Sequence, residues 1–284
     1  MKSGFLIVDK LVNHSSTLTD NIIKRNFKLD KVGHLGTLDP FATGLLIIGI
    51  NDATKLFPLI DDSDKEYIAT LKLGEETDTL DLKGKIIEAK EVRKYQIEEI
   101  KEVLSSFLGE SKQIPPRYSA KHIDGVRSYL LANENKDIKP KEIDINIYNI
   151  ELIQYDDKLN TITFKCKVSK GTYIRSLGLD IAKKLNTIGH LISLRRTKIG
   201  NIDISKAKTV DQINEEDIIK MDEFCKDIKV IDVDDKIAKD VINGKEIDYK
   251  YLSDYVFIKH NDEILAIYQY NTKGYKCYKG CKHD

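Results

Sequence analysis

The order of predicted strands and helices limits the fold of this chain more than any other feature. Alternating or uniformly apolar runs predict strands, whereas apolar residues three or four positions apart predict helices. Strands are predicted at residues 5–8, 45–50, 67–73, 143–153, 161–168 and 188–197, and helices at residues 17–27, 96–107, 127–132 and 173–185. Thr17 and Asp20 fit a capping box at the start of the first helix. Because the elements follow no regular strand–helix–strand rhythm, we predict an α+β fold with a large mixed or antiparallel sheet.

The pattern changes after the acidic stretch at residues 214–227. Short strands are predicted at residues 230–233, 255–259, 264–270 and 275–278, around one helix. A separate run of short strands after a charged stretch is typical of a second, smaller domain. We therefore predict a main domain over residues 1–227 and a small, mostly-β domain over residues 228–284.

Composition favours a soluble protein with a substantial core. Hydrophobic residues make up 41% of the chain and charged residues 32%, as in ordinary globular proteins. The longest apolar runs are far shorter than the roughly 20 residues that span a bilayer, and the N-terminus has no cleavable signal pattern. We therefore expect a cytoplasmic protein without a membrane partner.

Charge is distributed unevenly along the chain, although the net charge is zero. Residues 165–208 contain eleven Lys or Arg and two acids, a local excess of +9. A local positive face is sufficient for binding phosphates, but a solvated charged surface is an equally good explanation of such a run. Charge alone leaves both interpretations open.

Residues 33–44 form the segment that most strongly suggests chemistry. It holds three glycines and the turn-forming pair Asp39-Pro40 between a predicted helix and a buried strand. Glycines permit backbone geometry and close approaches that other residues do not. Asp39 could merely cap the turn. However, His34 and Asp39 share this segment beside a buried strand, which is a suitable place for a desolvated carboxylate.

A second candidate segment, residues 171–177, lies where a predicted strand meets a predicted helix. Tyr173 and Arg175 are two positions apart near the helix start, where the backbone also favours anions. An arginine beside a buried aspartate keeps that carboxylate ionised and oriented. A structural ion pair or a phosphate contact is the alternative.

Other polar residues are weaker candidates. Tyr67 begins a predicted strand and could serve packing only. Asp78 and Asp81 could supply oxygen ligands to a metal, but nothing nearby in the sequence completes an octahedral set. The cysteines near the C-terminus lack the second ligand pair of a zinc site. We therefore predict no metal site.

Residues 33–44 resemble the main signature of the bacterial TruB family, the tRNA pseudouridine-55 synthases. Six further motifs of that family occur in the family's order along the chain. They are Asp9-Lys10 with Ser15-Ser16, Lys65-Glu66-Tyr67, Leu73-Gly74 with Thr77-Asp78-Thr79 and Asp81, Pro115-Pro116 with Tyr118-Ser119-Ala120, Gly171-Thr172-Tyr173-Ile174-Arg175-Ser176, and Leu194-Arg195-Arg196-Thr197. Seven ordered motifs over residues 5–200 make the resemblance specific, whereas residues 228–284 resemble a shortened PUA-like RNA-binding domain more loosely.

The chain departs from the family pattern at several positions. Leu11 stands where the family usually has Pro, Leu35 where Thr is frequent, His122 where Lys is frequent and Asn133 where Arg is frequent. These positions concern RNA contacts or packing, so the departures bear on the affinity for RNA rather than on the reaction.

The resemblance implies a fold and a reaction. The fold is pseudouridine-synthase-like, with a mixed, largely antiparallel sheet flanked by helices, a catalytic domain over residues 1–227 and a PUA-like RNA-binding domain over residues 228–284. An inserted RNA-contacting segment is expected near residues 113–140. The reaction isomerises uridine 55 in the T arm of tRNA by base flipping, N1–C1′ cleavage and C5–C1′ rejoining. No cofactor, no metal and no guide RNA are expected, and the protein is expected to be a monomer.

The resemblance also implies roles for particular residues. Asp39 would be the catalytic carboxylate, and the other site residues would bind or support the substrate. Those residues are Arg175, which would hold Asp39 charged; Tyr67, which would stack on the uracil and transfer a proton; Tyr173 and Leu194, which would form apolar walls; His34, which would fill the vacated stack; Lys10, which would contact RNA or the motif loop; and Asp81, which would order the surroundings. For Lys10 and Asp81 a purely structural role is the alternative.

Three competing functions are compatible with parts of the sequence. An RNA-binding module or tRNA-folding chaperone would use the basic stretch but would not need Asp39, Tyr67 and Arg175 together. A guide-RNA-dependent synthase would share the core motifs. A metal-dependent RNA hydrolase would depend on Asp78 and Asp81.

Overall fold

A computed structural model describes residues 3–116, 122–123, 126–127 and 141–281. The strands are β1 (Gly4–Lys10), β2 (Val32–Leu35), β3 (Thr43–Ile50), β4 (Asp64–Leu73), β5 (Glu75–Thr77), β6 (Ile86–Ala89), β7 (Gly109–Gln113), β8 (His122–Ile123), β9 (Val126–Arg127), β10 (Ile143–Asp156), β11 (Thr161–Ser169), β12 (Gly189–Ile199), β13 (Ile202–Asp203), β14 (Lys229–Asp232), β15 (Tyr255–His260), β16 (Glu263–Tyr270) and β17 (Tyr275–Gly280). The α-helices are α1 (Ser16–Asn26), α2 (Ile97–Ser105), α3 (Ile174–Lys184), α4 (Met221–Phe224) and α5 (Asp235–Ile242). Short 3₁₀ helices span Asn51–Leu59, Ile204–Lys206 and Glu215–Asp217.

Two predictions fall largely outside these ranges. Of the helix predicted at residues 127–132, only Arg127 is described, and it ends β9. Most of the expected RNA-contacting segment near residues 113–140 also lies outside the described residues. Within the described ranges, no helix has the length and apolar composition that crossing a membrane requires.

The large sheet confirms the predicted α+β fold. Among the described residues, nine strands join in the order β1-β3-β12-β4-β11-β10-β7, with β2 added to β3 and β13 added to β12. The β3–β12 contact is parallel, and the other neighbouring pairs are antiparallel. The sheet is therefore mixed and largely antiparallel, as the sequence predicts. Helices α2 and α3 contribute to one buried cluster on the sheet, and α1 contributes to another.

Strand β4 shows why the sequence pattern predicts the sheet. Its residues alternate strictly between half-exposed and buried positions. Tyr67, Ala69 and Leu71 are on the buried side, because successive side chains of a strand point to opposite faces. This alternation orients the Tyr67 ring towards the same side of the sheet as α3.

The C-terminal strands confirm the predicted mostly-β region. Strands β14–β17 form a separate four-stranded sheet in chain order, beside α5. One buried cluster joins this sheet to the main sheet, because it contains Phe257 and Ile267 together with Phe5 of β1 and Met221 of α4. The Phe5 and Phe224 rings stack at 4.2 Å between centroids. The boundary at residue 228 stays a prediction.

The close approach of β3 and β12 depends on a glycine. Gly44 of β3 pairs with Arg196 of β12, and its backbone φ is +102°. A Cβ atom at this position would lie 2.3 Å from the Arg196 carbonyl oxygen. Any other residue would therefore separate β12, which carries Leu194 and Arg196, from β3, the strand that follows Asp39 in the chain.

We expect Gly44→Ala to lower the free energy of unfolding by about 3 kcal/mol, because it adds a backbone clash to backbone strain. Gly109→Ala is the matched control, since Gly109 has a φ of +95° but open space around its Cβ position. That control should cost only about 1–2 kcal/mol. Urea unfolding of both variants measures the difference, and equal losses would contradict the steric explanation.

Candidate active site

A pocket of about 300 Å³ opens where residues 36–39, β4, β12 and the start of α3 meet. Five residues that the sequence predicted for the site line it. They are Asp39, Tyr67, Tyr173, Arg175 and Leu194. The other three predicted residues, His34, Lys10 and Asp81, are not among its lining residues. The structure therefore brings together residues that are as much as 155 positions apart in the chain, since the set runs from Asp39 to Leu194.

The segment carrying Asp39 is held against the first turn of α1. The buried Ser16 hydroxyl donates to the Leu38 carbonyl at 3.1 Å and accepts from the Leu38 N–H at 2.9 Å. The Asn13 N–H donates to the Pro40 carbonyl at 2.8 Å. These contacts fix the backbone on both sides of Asp39, so its carboxylate has a defined direction.

Arg175 forms an ion pair with Asp39 through two of its nitrogens. Its Nε lies 2.9 Å from Asp39 Oδ2, and its Nη2 lies 3.4 Å from Oδ1. The same guanidinium donates from Nη1 to the Thr79 carbonyl at 2.8 Å and lies 3.5 Å from Asp81 Oδ2. Asp81 is in turn fixed by the Thr79 hydroxyl and the Lys83 N–H, each at 2.9 Å. Asp81 therefore acts on the pocket through Arg175.

Asp39 is partly accessible and lines the pocket. About 37% of its side-chain surface is exposed, compared with 6% for Arg175. Burial raises the pKa of Asp39 above its ordinary value, although the Arg175 guanidinium opposes the rise; the nearby Asp81 carboxylate adds to it. Because the site is concave, protein surrounds the carboxylate even though part of its surface is accessible. The exposed fraction and the pKa raised by burial are therefore compatible. Proton uptake by Asp39 is therefore expected at a higher pH than for an aspartate in water.

Arg196 is a site residue that the sequence analysis missed. It is fully buried and donates to the Leu45 carbonyl from Nε and to the Gly36 carbonyl from Nη2, both at 2.8 Å. Its guanidinium also lies beside the Tyr67 phenol and acts on the pKa of that group. The available signal was its position two residues after Leu194 on a strand, which places both on one face. Arg196 thus joins the two ends of the segment carrying Asp39 to Tyr67.

Tyr67 is buried with its hydroxyl directed at this guanidinium. Burial raises the pKa of the Tyr67 phenol, and the Arg196 charge opposes that rise. The phenol therefore keeps its proton at neutral pH. It can donate a proton or a hydrogen bond, and its ring forms a flat wall of the pocket.

Lys10 is completely buried beneath the same segment. Its Nζ donates to the His14 carbonyl at 2.6 Å and to the Leu11 carbonyl at 3.1 Å. Burial lowers the pKa of Lys10 to about 8, although the Asp39 carboxylate opposes the shift. Both carbonyls lie outside the motif loop of residues 33–44, so these contacts fit the structural alternative for Lys10.

Tyr173 caps α3 and is anchored by a second residue that the sequence did not single out. The buried Gln113 amide accepts from the Tyr173 N–H at 2.8 Å and donates to the Tyr173 carbonyl at 3.1 Å. This paired contact fixes the start of the helix that presents Arg175. Because Gln113 ends β7, sequence spacing alone gave no sign of it.

His34 lies beside the pocket rather than in its wall. Its Nδ1 is 2.7 Å from Asp20 Oδ2, and its Nε2 is 3.1 Å from the Thr37 hydroxyl. Thr37 does line the pocket. The imidazole is therefore connected to the rim through a single hydroxyl.

The candidate metal ligands have other partners. Asp78 Oδ1 accepts from the Lys85 N–H at 2.9 Å, and Asp81 faces Arg175. In the part of the chain that the structure describes, no group of three or more His, Cys, Asp or Glu could hold a metal ion.

Comparison with known families and proteins gives an independent result. The family model described as TruB family pseudouridylate synthase (N terminal domain) matches residues 24–174. The tRNA pseudouridine synthase B of Mycoplasma mobile is 40% identical over 264 residues, which cover 93% of this chain and 90% of the relative. The protein of the same name from Mesoplasma florum is 38% identical over 284 residues, with 98% of each chain covered.

Solved structures show the same fold. A chain of a Cbf5–Nop10–Gar1 complex matches with a TM-score of 0.67 at 24% identity, covering 97% of this chain and 83% of its own. A chain of an H/ACA ribonucleoprotein bound to a substrate RNA containing 2′-deoxyuridine matches with a TM-score of 0.65 at 22% identity, covering 99% and 85%. The predicted pseudouridine-synthase-like fold is confirmed. Since the family model matches more than half of the chain and the relatives are similar over almost all of it, the chain belongs to the TruB family of pseudouridylate synthases.

Proposed function

We propose that this protein converts uridine 55 in the T arm of tRNA to pseudouridine. Membership of the family supports pseudouridine formation, and the name tRNA pseudouridine synthase B of its relatives supports tRNA as the substrate. The observation that carries the proposal is the carboxylate of Asp39, which is paired with Arg175 and partly exposed in the wall of the pocket. A pocket of about 300 Å³ suits a single nucleotide rather than paired RNA.

The substrate must change shape to reach this site. A uridine inside a folded loop is stacked and paired, so it must be flipped out at a cost of roughly a few kcal/mol. His34, beside the rim, would occupy the space that the base leaves. Stacking on a flat ring contributes about 1–3 kcal/mol per base, which offsets much of the cost.

Asp39 would then act at the sugar carbon C1′. The N1–C1′ bond breaks, the uracil turns within the pocket, and C5 bonds to C1′; C5 then loses its proton and N1 takes one up. The product is an isomer of the substrate, so the reaction balances without a redox partner or an added group. Arg175 would keep Asp39 ionised and aimed. Asp81 and the Thr79 carbonyl would hold Arg175 in place.

The walls of the pocket would select and orient the base. Tyr67 would stack on the flipped uracil, and its protonated hydroxyl would donate to the reacting base. Tyr173 and Leu194 would supply the remaining apolar surface. Lys10 would hold the backbone of residues 11–14 through the two carbonyls that it binds, and Asn13 in that stretch donates to the Pro40 carbonyl next to Asp39.

The domain assignment follows from the same proposal. Residues 1–227 would form the catalytic domain, and the C-terminal sheet with its flanking residues, 228–284, would form a PUA-like domain that binds RNA. The protein would act in the cytoplasm as a monomer, without guide RNA and without a cofactor.

Replacing Tyr67 with Phe tests the role of the hydroxyl. The ring remains, so we expect tRNA affinity to stay near that of the wild type. We expect the single-turnover rate to fall about 10²- to 10⁴-fold, the usual contribution of a positioned proton-transfer group. Tyr67→Leu, which removes ring and hydroxyl together, is the control for stacking. A near wild-type rate for Tyr67→Phe would reject the proton-transfer role.

A direct test is incubation of the purified protein with an unmodified tRNA transcript, followed by mapping of pseudouridine along the RNA. We expect one modified position, 55, with no guide RNA added. A transcript with cytidine at position 55 is the control. Tight binding without modification would favour the RNA-binding module, and modification only with a guide RNA would favour a guide-dependent synthase.

A further inference from the structure

We propose that Asp20 and Thr37 are positioning residues that hold the His34 imidazole as a fixed stacking surface beside the pocket. The inference rests on the proposed function, because it concerns the stacking of His34 in the space that the flipped base leaves. It concerns two residues for which the sequence analysis foresaw no such role.

Both ring nitrogens of His34 have a partner. Asp20 Oδ2 lies 2.7 Å from Nδ1, and the Thr37 hydroxyl lies 3.1 Å from Nε2. An ionised carboxylate can only accept, so Nδ1 must carry a proton. Turning the ring over would break both contacts at once. The imidazole is therefore fixed in tautomer and in orientation.

Asp20 does not have the helix-capping role that the sequence predicted for it. The capping box of Thr17 and Asp20 was a wrong prediction, because Ser15 is the N-cap and accepts from the Leu18 N–H at 3.0 Å. Asp20 lies one turn later and points to His34 instead. Its other oxygen, Oδ1, is buried without a hydrogen-bond partner among the described atoms. A buried, half-satisfied carboxylate costs stability, so its contact with His34 is the favourable interaction that accounts for its placement.

The contacts of His34 with Asp20 and Thr37 lie close to the proposed catalytic residue. Thr37 lines the pocket and is two residues before Asp39. The side chains of His34 and Asp20 are only 15% and 12% exposed, so little of the ring's freedom is left to lose when an RNA base stacks on it. Preorganised surfaces bind more tightly for this reason. Without Asp20 the ring could rotate, and flipping of the base would become slower.

Asp20→Leu, which has similar volume and no acceptor, tests the proposal. We expect its single-turnover rate on the unmodified transcript to fall about tenfold, a typical result of losing one ordering contact. Asp20→Asn keeps an oxygen that can accept from Nδ1 and should recover most of the rate. Asn21→Leu, on an exposed position of the same helix, is the matched control and should match the wild type.

The double variant with His34→Ala decides the mechanism. If Asp20 acts through His34, Asp20→Leu should cause no further loss in that background, since coupled residues are not additive. The same tenfold loss in both backgrounds would overturn the proposal, as would a wild-type rate for Asp20→Leu alone. Nitrogen-15 NMR of His34 in the free protein provides a readout that does not depend on activity. It should show the proton on Nδ1 in the wild type and its loss from that site in Asp20→Leu. A proton on Nε2 alone in the wild type would overturn the proposal that Asp20 and Thr37 hold the imidazole, even if the protein modifies tRNA.

Discussion

Asp39→Asn is expected to abolish pseudouridine formation while leaving affinity for tRNA within about tenfold of the wild type. Asparagine has nearly the same size and can still accept a hydrogen bond from Arg175. It lacks the negative charge that the proposed reaction requires, whether the carboxylate acts as a nucleophile or assists cleavage and deprotonation at the sugar. The loss should therefore appear in the chemical step and not in binding.

Single-turnover kinetics and a separate binding titration distinguish these effects. Asp62→Asn is the matched control, because Asp62 also lines the pocket but pairs with Lys65 and Lys170 instead of Arg175. It removes a pocket carboxylate without touching the Asp39 pair, and it should keep most of the activity. Equal losses of rate and affinity in Asp39→Asn would indicate a role in binding or folding.

Arg175→Gln should have the second largest effect. Removing one partner of a buried ion pair typically costs about 3–5 kcal/mol, and here it would leave both Asp39 and Asp81 without their shared cation. Burial already raises the pKa of Asp39, and Arg175 opposes that rise. Without Arg175 the pKa should rise further. A larger fraction of Asp39 would then be protonated, and inactive, at any given acidic pH.

The measurement is the pH dependence of the single-turnover rate. The rate should fall on the acidic side as Asp39 takes up a proton, and this fall should begin at a higher pH in Arg175→Gln than in the wild type. Arg175→Lys keeps the charge but loses the two-pronged geometry, so its profile should lie between the two. A reduced rate with an unmoved acidic limb would show that Arg175 does not set the ionisation of Asp39.

The sequence predicted the elements whose burial is periodic. Strand β4 and helix α3 repeat apolar residues at strand and helix spacing, because each packs one face on the core. Strands β6 and β7 were not predicted, since most of their residues are exposed and polar or lack alternation. They form by pairing with a neighbour, and a local pattern cannot report a distant partner.

The site divides in the same way. Asp39 and Arg175 could be proposed from local signals, a turn and a helix start, supported by the family resemblance. The contacts of Arg196 with Gly36 and of Gln113 with Tyr173 span 160 and 60 positions. Such supporting contacts exist only after folding. Arg196 stands in one of the family motifs, but the motif does not say which backbone groups its side chain will bind.

The buried apolar cluster that joins the C-terminal sheet to β1 has a consequence for how the protein could select a large substrate by its shape. Swinging that sheet away would expose Phe257 and Ile267, at about 1.5–3 kcal/mol for each side chain, and would also separate it from the stacked Phe5 and Phe224. Thermal motion therefore rarely changes the spacing between the sheet and the pocket. An RNA that contacts both the C-terminal sheet and the pocket would find them at a constant distance from each other. The shape of the RNA itself would then decide whether a uridine reaches the Asp39 carboxylate.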